Sequence, residues 1–481
     1  MKRRIVSSIF LVVFLNLLIK PFWILGIDRG VQNAVGTESY GLYFALFNFS
    51  LLFNILLDLG ITNFNNRNIA QHHQLLSKHL AGISILRLLL AVLYFFIGLG
   101  LAFILGYELS SIYILIHLLI NQFLASFILY VRSNLSGLHL FKTDAVFSIL
   151  DRIIMILICG LMLWGDIENF NINIERFIWA QSIAYVLVLI AVFIAVIRKS
   201  SVIQWYVSKA FFVMILKKSF PYALLILLMN FYFRSDSVLI ERLLPNGDFQ
   251  AGLYAQSFRL LDAAGMFGYL FAGILLPVFS RQLKLKQDVG DMVRIGTILL
   301  IAPLLVLVSL VITYRYELLD LLYHQTHQEA VDVLLLLMLA LIPFSLNYIS
   351  GTLLTAAGHL RKMNILTFSV TLLNILLNLV FIPIYGIVGA GIVALFTQVL
   401  MATLLFRRAI LDHKIERMKQ IAFKLLLFAI LCGGVCFFLK ITLGNPLLAG
   451  ISSGILCTVL LFPLGLVRLK DIIRFINEKQ A

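Results

Sequence analysis

Apolar stretches of about 20 residues follow one another along the whole chain, and the polar connections between them are short. An α-helix needs about 20 apolar residues to cross a hydrocarbon core of about 30 Å. The composition agrees, since 61% of the 481 residues are hydrophobic, 13% are charged and the mean hydropathy is +1.01. Soluble domains do not have this composition. The sequence therefore predicts an all-α, polytopic integral membrane protein with about 14 transmembrane helices. The predicted spans are 5–27, 41–62, 79–104, 110–135, 144–165, 173–197, 219–243, 249–280, 290–313, 328–357, 362–383, 385–406, 420–440 and 446–467.

The basic residues are distributed unevenly among the predicted connections. Basic residues near a span end are counted with the adjoining loop. With both termini cytoplasmic, the cytoplasmic segments then hold 28 of the 38 Lys and Arg residues, the outward loops hold 5 and the interiors of the spans hold 5. Cytoplasmic loops of membrane proteins carry such an excess of Lys and Arg. A missed or additional helix would reverse the side of every later loop, so the asymmetry favours both the span count and cytoplasmic termini. The net charge of +15 then reflects topology and does not indicate nucleic-acid binding.

The short connections leave little room for catalysis. The sequence contains no glycine-rich phosphate-binding loop, so we expect no enzymatic activity and no cofactor. His324 and His327 lie near acidic residues in the longest outward loop, but no third ligand has a fixed spacing and a solvated loop explains them equally well. The four cysteines all lie in predicted spans and indicate neither a disulfide nor a metal site. They are Cys159, Cys432, Cys436 and Cys457.

Five basic residues lie well inside the predicted spans, away from the span ends. A charge in hydrocarbon costs at least about 2.5–3.5 kcal/mol on insertion scales, so such residues normally face a water-filled cavity or a partner. The sequence therefore predicts a cationic interior that receives an anionic ligand. For Arg87 and Arg152 the alternative is that the side chain extends to the nearby cytoplasmic interface. The five candidates are Lys20, Arg87, Arg152, Arg234 and Arg259.

Acidic residues in the same spans are candidates for coupling transport to an ion gradient. Buried carboxylates can take up a proton or bind Na⁺. Asp58, Asp236 and Asp262 are the candidates. The alternative is that they balance neighbouring arginines, as Asp262 would do for Arg259 three residues before it on the same helix face.

An asparagine and a cation recur together in two spans. Asn16 precedes Lys20 by four residues in the first span, and Asn230 precedes Arg234 by four residues in the seventh. Residues four apart lie on the same helix face, so each amide is placed beside its cation. We therefore add Asn16 and Asn230 to the candidate ligand-binding residues.

The spans that follow this pattern both begin with Gly-Leu-Tyr, at 41–43 and 252–254. Together the two matches predict an internal repeat and two bundles of the same orientation. Parallel repeats of this kind commonly enclose a binding site at their interface. The predicted domains are an N-terminal six-helix bundle (1–200), a cytoplasmic amphipathic linker helix (201–218), a C-terminal six-helix bundle (219–410), and helices 13 and 14 with a cytoplasmic tail (411–481).

Four short segments, together with the 6 + 6 + 2 order of spans, carry a resemblance to a known family. They are Tyr-Gly-Leu-Tyr at 40–43, Leu-Asp-Leu-Gly-Ile at 57–61, Arg-Ser-Asp at 234–236 and Ala-Gly-Leu-Tyr-Ala at 251–255. The chain resembles the bacterial polysaccharide-biosynthesis flippases of the multidrug/oligosaccharidyl-lipid/polysaccharide exporter superfamily. The resemblance covers nearly the whole chain.

The resemblance implies alternating-access transport of a polyprenyl-pyrophosphate-linked oligosaccharide, such as an O-antigen or capsule repeat unit. The movement would be from the inner to the outer leaflet of the bacterial cytoplasmic (inner) membrane. The family's cationic cavity maps onto the five basic residues above, and arginine can bind a pyrophosphate bidentately. Membrane lipids, Na⁺ or H⁺, and the polysaccharide polymerase machinery are the further partners that it allows.

Two related functions stay open. A flippase for the peptidoglycan precursor would need the same cationic cavity. A multidrug or cation antiporter of the superfamily would need an acidic or apolar cavity, which five basic against three or four acidic residues argue against. A membrane polymerase or glycosyltransferase would need catalytic residues on an aqueous loop, and the sequence lacks them.

Overall fold

The computed structural model describes residue 19 and residues 21–165, 171–200 and 209–466, and every regular element in these ranges is helical. Ten of the described helices are long and apolar enough to cross a membrane. The number is eleven if the bent pair Thr37–Leu52 and Asn54–Gln71 forms one span. The predicted all-α, polytopic membrane fold is therefore confirmed, whereas the exact number of fourteen spans stays a prediction.

The chain divides into two compact units, Met1–Gly252 and Leu253–Ala481. A π-helical turn at Trp23–Asp28 leads into the helices of the first unit. These are α1 (Arg29–Val35), α2 (Thr37–Leu52), α3 (Ile61–Gln71), α4 (Leu76–Ile104), α5 (Leu109–Gly137), α6 (Phe141–Trp164), α7 (Ile174–Ile197), α8 (Lys209–Leu243) and the first turns of α9 (Gly247–Lys284).

The second unit contains the rest of α9 and six further helices. They are α10 (Gly290–Thr313), α11 (Arg315–Leu322), α12 (Gln328–Ala356), α13 (Leu360–His413), α14 (Met418–Thr442) and α15 (Pro446–Leu460). The bundle bounds predicted from the sequence stay a prediction. Of the predicted linker helix, residues 201–208 lie outside the described ranges, and α8 runs without a break from Lys209 into the seventh span.

Helix α13 is 54 residues long but is not one straight span. Gly386 interrupts it with φ 60° and ψ −145°, a conformation that is essentially restricted to glycine. The break lies close to the predicted boundary between spans 362–383 and 385–406. Gly386, three residues after Pro383, thus divides α13 into two helices that meet at a kink.

The first and the last predicted spans differ in length from the helices in the structure. Most of the first predicted span lies outside the described residues, but the helical backbone continues past its predicted end at residue 27 as far as Val35. The last described helix, α15, has only 15 residues and is shorter than a typical span.

Lys440 and Tyr314 make polar contacts between the C-terminal helices α14 and α15 and the rest of the second unit. The Nζ of Lys440 in α14 lies 2.6 Å from Glu317 and donates to the carbonyl of Thr313 at 2.8 Å. Burial raises the pKa of Glu317, but hydrogen bonds from Lys440 and the backbone outweigh it, so the pKa lies below its ordinary value. All four cysteines are buried free thiols.

The repeated Gly-Leu-Tyr segments lie where two helices touch. A Cβ added to Gly41 in α2 would overlap the carbonyl oxygen of Asp248, and a Cβ added to Gly252 in α9 would overlap the carbonyl oxygen of Thr37. Gln32 reinforces the crossing, since its Nε2 donates to the carbonyl of Gly252 at 2.9 Å. The two glycines are therefore required by a close backbone approach near the start of each helix.

Replacing Gly41 with alanine is expected to destabilise the protein by about 1–3 kcal/mol, because the added methyl group forces α2 and α9 apart. The thermal unfolding temperature in detergent measures this loss. Gly434 in α14 is the matched control, since a Cβ there would have no heavy atom within 4 Å. Gly434→Ala is expected to be neutral or stabilising by up to about 1 kcal/mol. Equal unfolding temperatures for the two variants would show that the crossing can relax.

Candidate functional site

Arg87 is the most deeply buried of the described candidate cations. Only 1% of its side chain is exposed, and its Nη2 forms an ion pair with Asp58. Its Nη1 donates to the carbonyl of Ser126 at 2.7 Å, and its guanidinium lies 5.2 Å from the ring centre of Tyr130. The guanidinium is therefore held by protein groups. Its role in ligand binding stays a prediction.

Asp58 connects this arginine to a bend in the second span. The helical segments Thr37–Leu52 and Asn54–Gln71 meet at a bend of 50°, and Asp58 lies in the second segment, shortly after the bend. The carboxylate of Asp58 accepts hydrogen bonds from the backbone N–H of Gly60 at 3.0 Å and of Thr62 at 3.1 Å. It thus caps the free N–H groups at the start of α3 while it neutralises Arg87. The structure shows Asp58 as the counter-ion of an arginine, and its role in ion coupling stays a prediction.

Arg152 lies in a different environment, among aromatic side chains of the first unit. Its side chain is 30% exposed, and its guanidinium is 5.2 Å from the ring centre of Trp23. The Nε lies 3.7 Å from the carboxylate of Asp151, and Tyr185 of α7 is close enough to interact with the guanidinium electrostatically. Unlike Arg87, it keeps a substantial exposed fraction, as a residue that receives a ligand would need.

The same region contains a buried acid that the sequence analysis did not select. Asp28 is 2% exposed and accepts a hydrogen bond from the hydroxyl of Tyr40 at 2.6 Å. It is close enough to Arg152 to interact electrostatically. The sequence analysis placed it in an outward loop because the apolar run ends at Ile27. The helical backbone instead continues through it to Val35 and carries it into the protein.

Arg234 in α8 contacts α2. Its Nη1 donates to the side-chain oxygen of Asn48 at 3.1 Å, and Asn48 in turn donates to the carbonyl of Phe44 at 2.8 Å. Asn48 is neutral, so this hydrogen bond orients the guanidinium without neutralising its charge. Arg234 and Asn230, one turn apart, are both half-buried, whereas Asp236 is buried with 4% exposure.

The remaining candidates are less closely defined. Arg259 and Asp262 lie half-buried on α9 in the second unit. Gln256, one turn before Arg259, is 1% exposed and its Nε2 lies 3.5 Å from the carbonyl of Gln325. Asn16 and Lys20 fall outside the described residues, so the Asn and cation repeat is seen only in its second copy.

A buried polar cluster in the second unit was also missed. Asn374 donates to the hydroxyl of Thr397 at 3.2 Å, and Asn378 donates to the side-chain oxygen of Asn374 at 3.2 Å. All three side chains are at most 1% exposed. The spacing of two asparagines by four residues within an apolar span is the signal that could have found them.

A second ion pair lies at the end of α8. Arg242 donates to Glu241 through Nε at 2.7 Å, and its guanidinium lies 3.8 Å from the ring centre of Tyr107. The hydroxyl of Tyr107 donates to Glu241 at 2.8 Å. Burial, together with the negative charge of Glu241, raises the pKa of Tyr107, so the phenol stays protonated and keeps donating.

Solved structures with the same fold are membrane transporters. The lipid II flippase MurJ in an inward closed conformation superposes with a TM-score of 0.66 at 17% identity, covering 95% of this chain and 98% of that chain. An inward-facing multidrug resistance MATE family transporter of the MOP superfamily gives 0.61 at 14% identity, covering 83% and 98%. A MOP superfamily transporter from Pyrococcus furiosus gives 0.56 at 16% identity, covering 86% and 96%. The chain thus shares its fold with these transporters.

The family follows from the sequence itself. The profile of the family described as polysaccharide biosynthesis protein matches residues 30–283, which is more than half of the chain. The protein therefore belongs to the polysaccharide biosynthesis protein family. No curated protein matches the chain. The matched range includes all four described candidate cations, Arg87, Arg152, Arg234 and Arg259.

Proposed function

We propose that this protein is a flippase for a polyprenyl-pyrophosphate-linked oligosaccharide repeat unit. It moves this lipid from the inner to the outer leaflet of the bacterial cytoplasmic membrane by alternating access, with both termini in the cytoplasm. The observation that carries the proposal is the family match over 30–283, the range that contains the intramembrane arginines. Membership of the family favours a polysaccharide precursor as the cargo. The arginines favour a cargo with an anionic headgroup.

The chemistry of this cargo fits the arginines that the structure describes. A pyrophosphate carries about two negative charges and several acceptor oxygens, and a guanidinium can bind two of these oxygens at once in a low-dielectric site. Arg152 and Arg234 are the better candidates, because both are partly exposed. Arg152 lies beside Trp23 with its Nε 3.7 Å from the carboxylate of Asp151, and Arg234 donates to the side-chain oxygen of Asn48. Arg87 already forms an ion pair with Asp58 and is better suited to stabilising the second span than to binding the ligand. Arg259 of the second unit and Lys20, which lies outside the described residues, stay further candidates from the sequence.

Energy for directional transport would come from an ion gradient. Asp236 and Asp262 are the candidates for carrying H⁺ or Na⁺, and Asp58 is a weaker one because it is engaged by Arg87 and by the start of α3. Asn230, beside Arg234, would add a neutral hydrogen-bonding group to the site. A transient association with the polymerase that uses the delivered repeat unit would follow from this role.

Deletion of the gene tests the proposal directly. A lipid-linked oligosaccharide should accumulate on the cytoplasmic side, surface polysaccharide should disappear, and expression of the intact chain should restore both. Extraction and mass spectrometry of the polyprenyl lipids measure the accumulation. A deletion strain with normal surface polysaccharide and no accumulated lipid would contradict the proposal.

Transport of the peptidoglycan precursor is the second candidate. The similarity to the lipid II flippase MurJ over 95% of this chain favours it. The same lipid extraction decides between the two, because the accumulated lipid would then carry the peptidoglycan precursor. A multidrug or cation antiporter would leave both lipids unchanged on deletion and would instead alter drug susceptibility.

A further inference from the structure

A groove of about 470 Å³ lies between α12 and the second half of α13, within the second unit. Pro343 and Leu346 of α12 form one wall, and Ala402, Phe406 and Ile410 of α13 form the other. The rest of the lining is mostly apolar, and its polar members are Thr403 and Arg407. Sites that bind small molecules have this character, with a mostly hydrophobic wall and a few placed polar groups.

The packing of the two helices explains why the groove is long and narrow. A Cβ added to Gly391 would lie 3.0 Å from Leu336, so the helices touch near the start of the second half of α13. Further along, Pro343 removes a backbone hydrogen bond from α12 and favours a bend. The lining of α13 extends from Val399 to Leu411, which is roughly 18 Å at the helical rise of 1.5 Å per residue. This shape fits a single alkyl chain.

The charged residue of the lining is Arg407, which lies towards the side that the positive-inside rule predicts to be cytoplasmic. Its side chain is exposed, and it makes no hydrogen bond or ion pair with any residue in the described ranges. The adjacent Arg408 is instead paired within the protein, since its Nε donates to the carboxylate of Asp412 at 2.9 Å. His359 also lies 3.0 Å from this carboxylate. Arg407 therefore presents a guanidinium that is available to an external anion.

We infer that this groove binds an anionic phospholipid of the cytoplasmic leaflet, with one acyl chain along α13 and the phosphate on Arg407. The charge selects an anionic headgroup, and the apolar walls replace contacts with bulk lipid. Basic groups between transmembrane helices on the cytoplasmic side bind anionic lipids in this way. The groove residues are not among those proposed to bind the transported oligosaccharide, so the site does not depend on the proposed function.

Native mass spectrometry of the purified protein tests the headgroup contact. Phosphatidylglycerol and phosphatidylcholine with identical acyl chains are titrated separately, and the wild type should retain the anionic lipid preferentially. Arg407→Ala should weaken phosphatidylglycerol binding about tenfold, the effect of losing one charge-assisted contact to a phosphate, and leave phosphatidylcholine unchanged. Arg408→Ala removes the same charge one residue away and should change binding less than about twofold. Equal losses in the two variants would indicate a diffuse basic surface and overturn the proposal.

A second variant tests the position of the acyl chain. Thr403 is exposed on the α13 wall of the groove, and Thr403→Trp should fill it and weaken binding of both lipids. Leu376→Trp, at an exposed position on the first half of α13, is the control and should have no effect. Unchanged lipid binding in Thr403→Trp would place the chain elsewhere and refute the proposal.

Two competitors separate the phospholipid from other phosphates. Soluble glycerol phosphate, which carries the charge without the chain, should not displace phosphatidylglycerol. Polyprenyl phosphate at equal concentration should not displace it either. Displacement by glycerol phosphate would reduce the site to a surface anion contact, and displacement by polyprenyl phosphate would assign the groove to the tail of a polyprenyl lipid; either result contradicts the proposal.

Discussion

Replacing Arg87 with alanine is expected to lower the free energy of unfolding by about 3–5 kcal/mol, the usual cost of removing one partner from a buried ion pair. Asp58 would lose its counter-ion while 23% of its side chain is exposed, and the carbonyl of Ser126 would lose its donor. The bend at the second span would lose the contact that holds it to α4. A fall in the thermal unfolding temperature in detergent, together with a low yield of monodisperse protein, is the measurement.

The control for this variant is an arginine in a more exposed ion pair. Arg294 pairs with Asp291 through side chains that are 24% and 45% exposed. Arg294→Ala should cost less than about 1 kcal/mol, since solvent screens such pairs. The double variant Arg87→Met with Asp58→Asn removes both buried charges and keeps an acceptor for the start of α3, so it should recover part of the lost stability. Wild-type unfolding of Arg87→Ala would contradict the structural role.

Replacing Arg234 with alanine is expected to abolish surface polysaccharide while the protein is produced at a normal level. The half-buried guanidinium is held towards α2 by Asn48, and its loss removes a bidentate contact to the proposed pyrophosphate. A loss of one to two charge-assisted hydrogen bonds corresponds to a decrease in affinity of about tenfold to a hundredfold. Immunolabelling of surface polysaccharide and extraction of the accumulated lipid measure the effect.

Two further variants give this test its controls. Arg234→Lys keeps the charge but loses the planar fork, so an intermediate amount of surface polysaccharide is expected. Arg294→Ala removes an arginine whose contacts lie in an exposed ion pair and should leave transport unchanged. Full activity in both Arg234→Ala and Lys20→Ala would remove these residues from the mechanism.

The sequence was sufficient for the class of fold because the solvent imposes it. Backbone groups cannot stay unpaired in hydrocarbon, so long apolar runs have to become helices. The limits of the helices were less certain. Gly386 interrupts α13 by a backbone conformation that hydropathy does not report, and the first span continues beyond Ile27 because tertiary contacts, such as that of Asp28 with Tyr40, stabilise polar residues there.

The candidate cations were found from sequence because charge inside an apolar run is costly wherever it lies. Their partners were not. Asp58 and Arg87 are 29 residues apart on different helices, and Asn48 and Arg234 are 186 residues apart. No spacing rule links such pairs, since periodicity reports only which residues share a face of one helix.

The sequence alone thus determined that the chain is helical, embedded in a membrane and basic at several positions within its spans, because each property follows from the local cost of exposing polar groups to lipid. Only the tertiary structure decided how deeply each of these charges is buried and which side chains lie beside it. Arg87 is fully buried in an ion pair with Asp58 of the second span, whereas Arg152 stays partly exposed beside Trp23. That difference arises from which helices pack together, and helix packing depends on contacts across the whole chain.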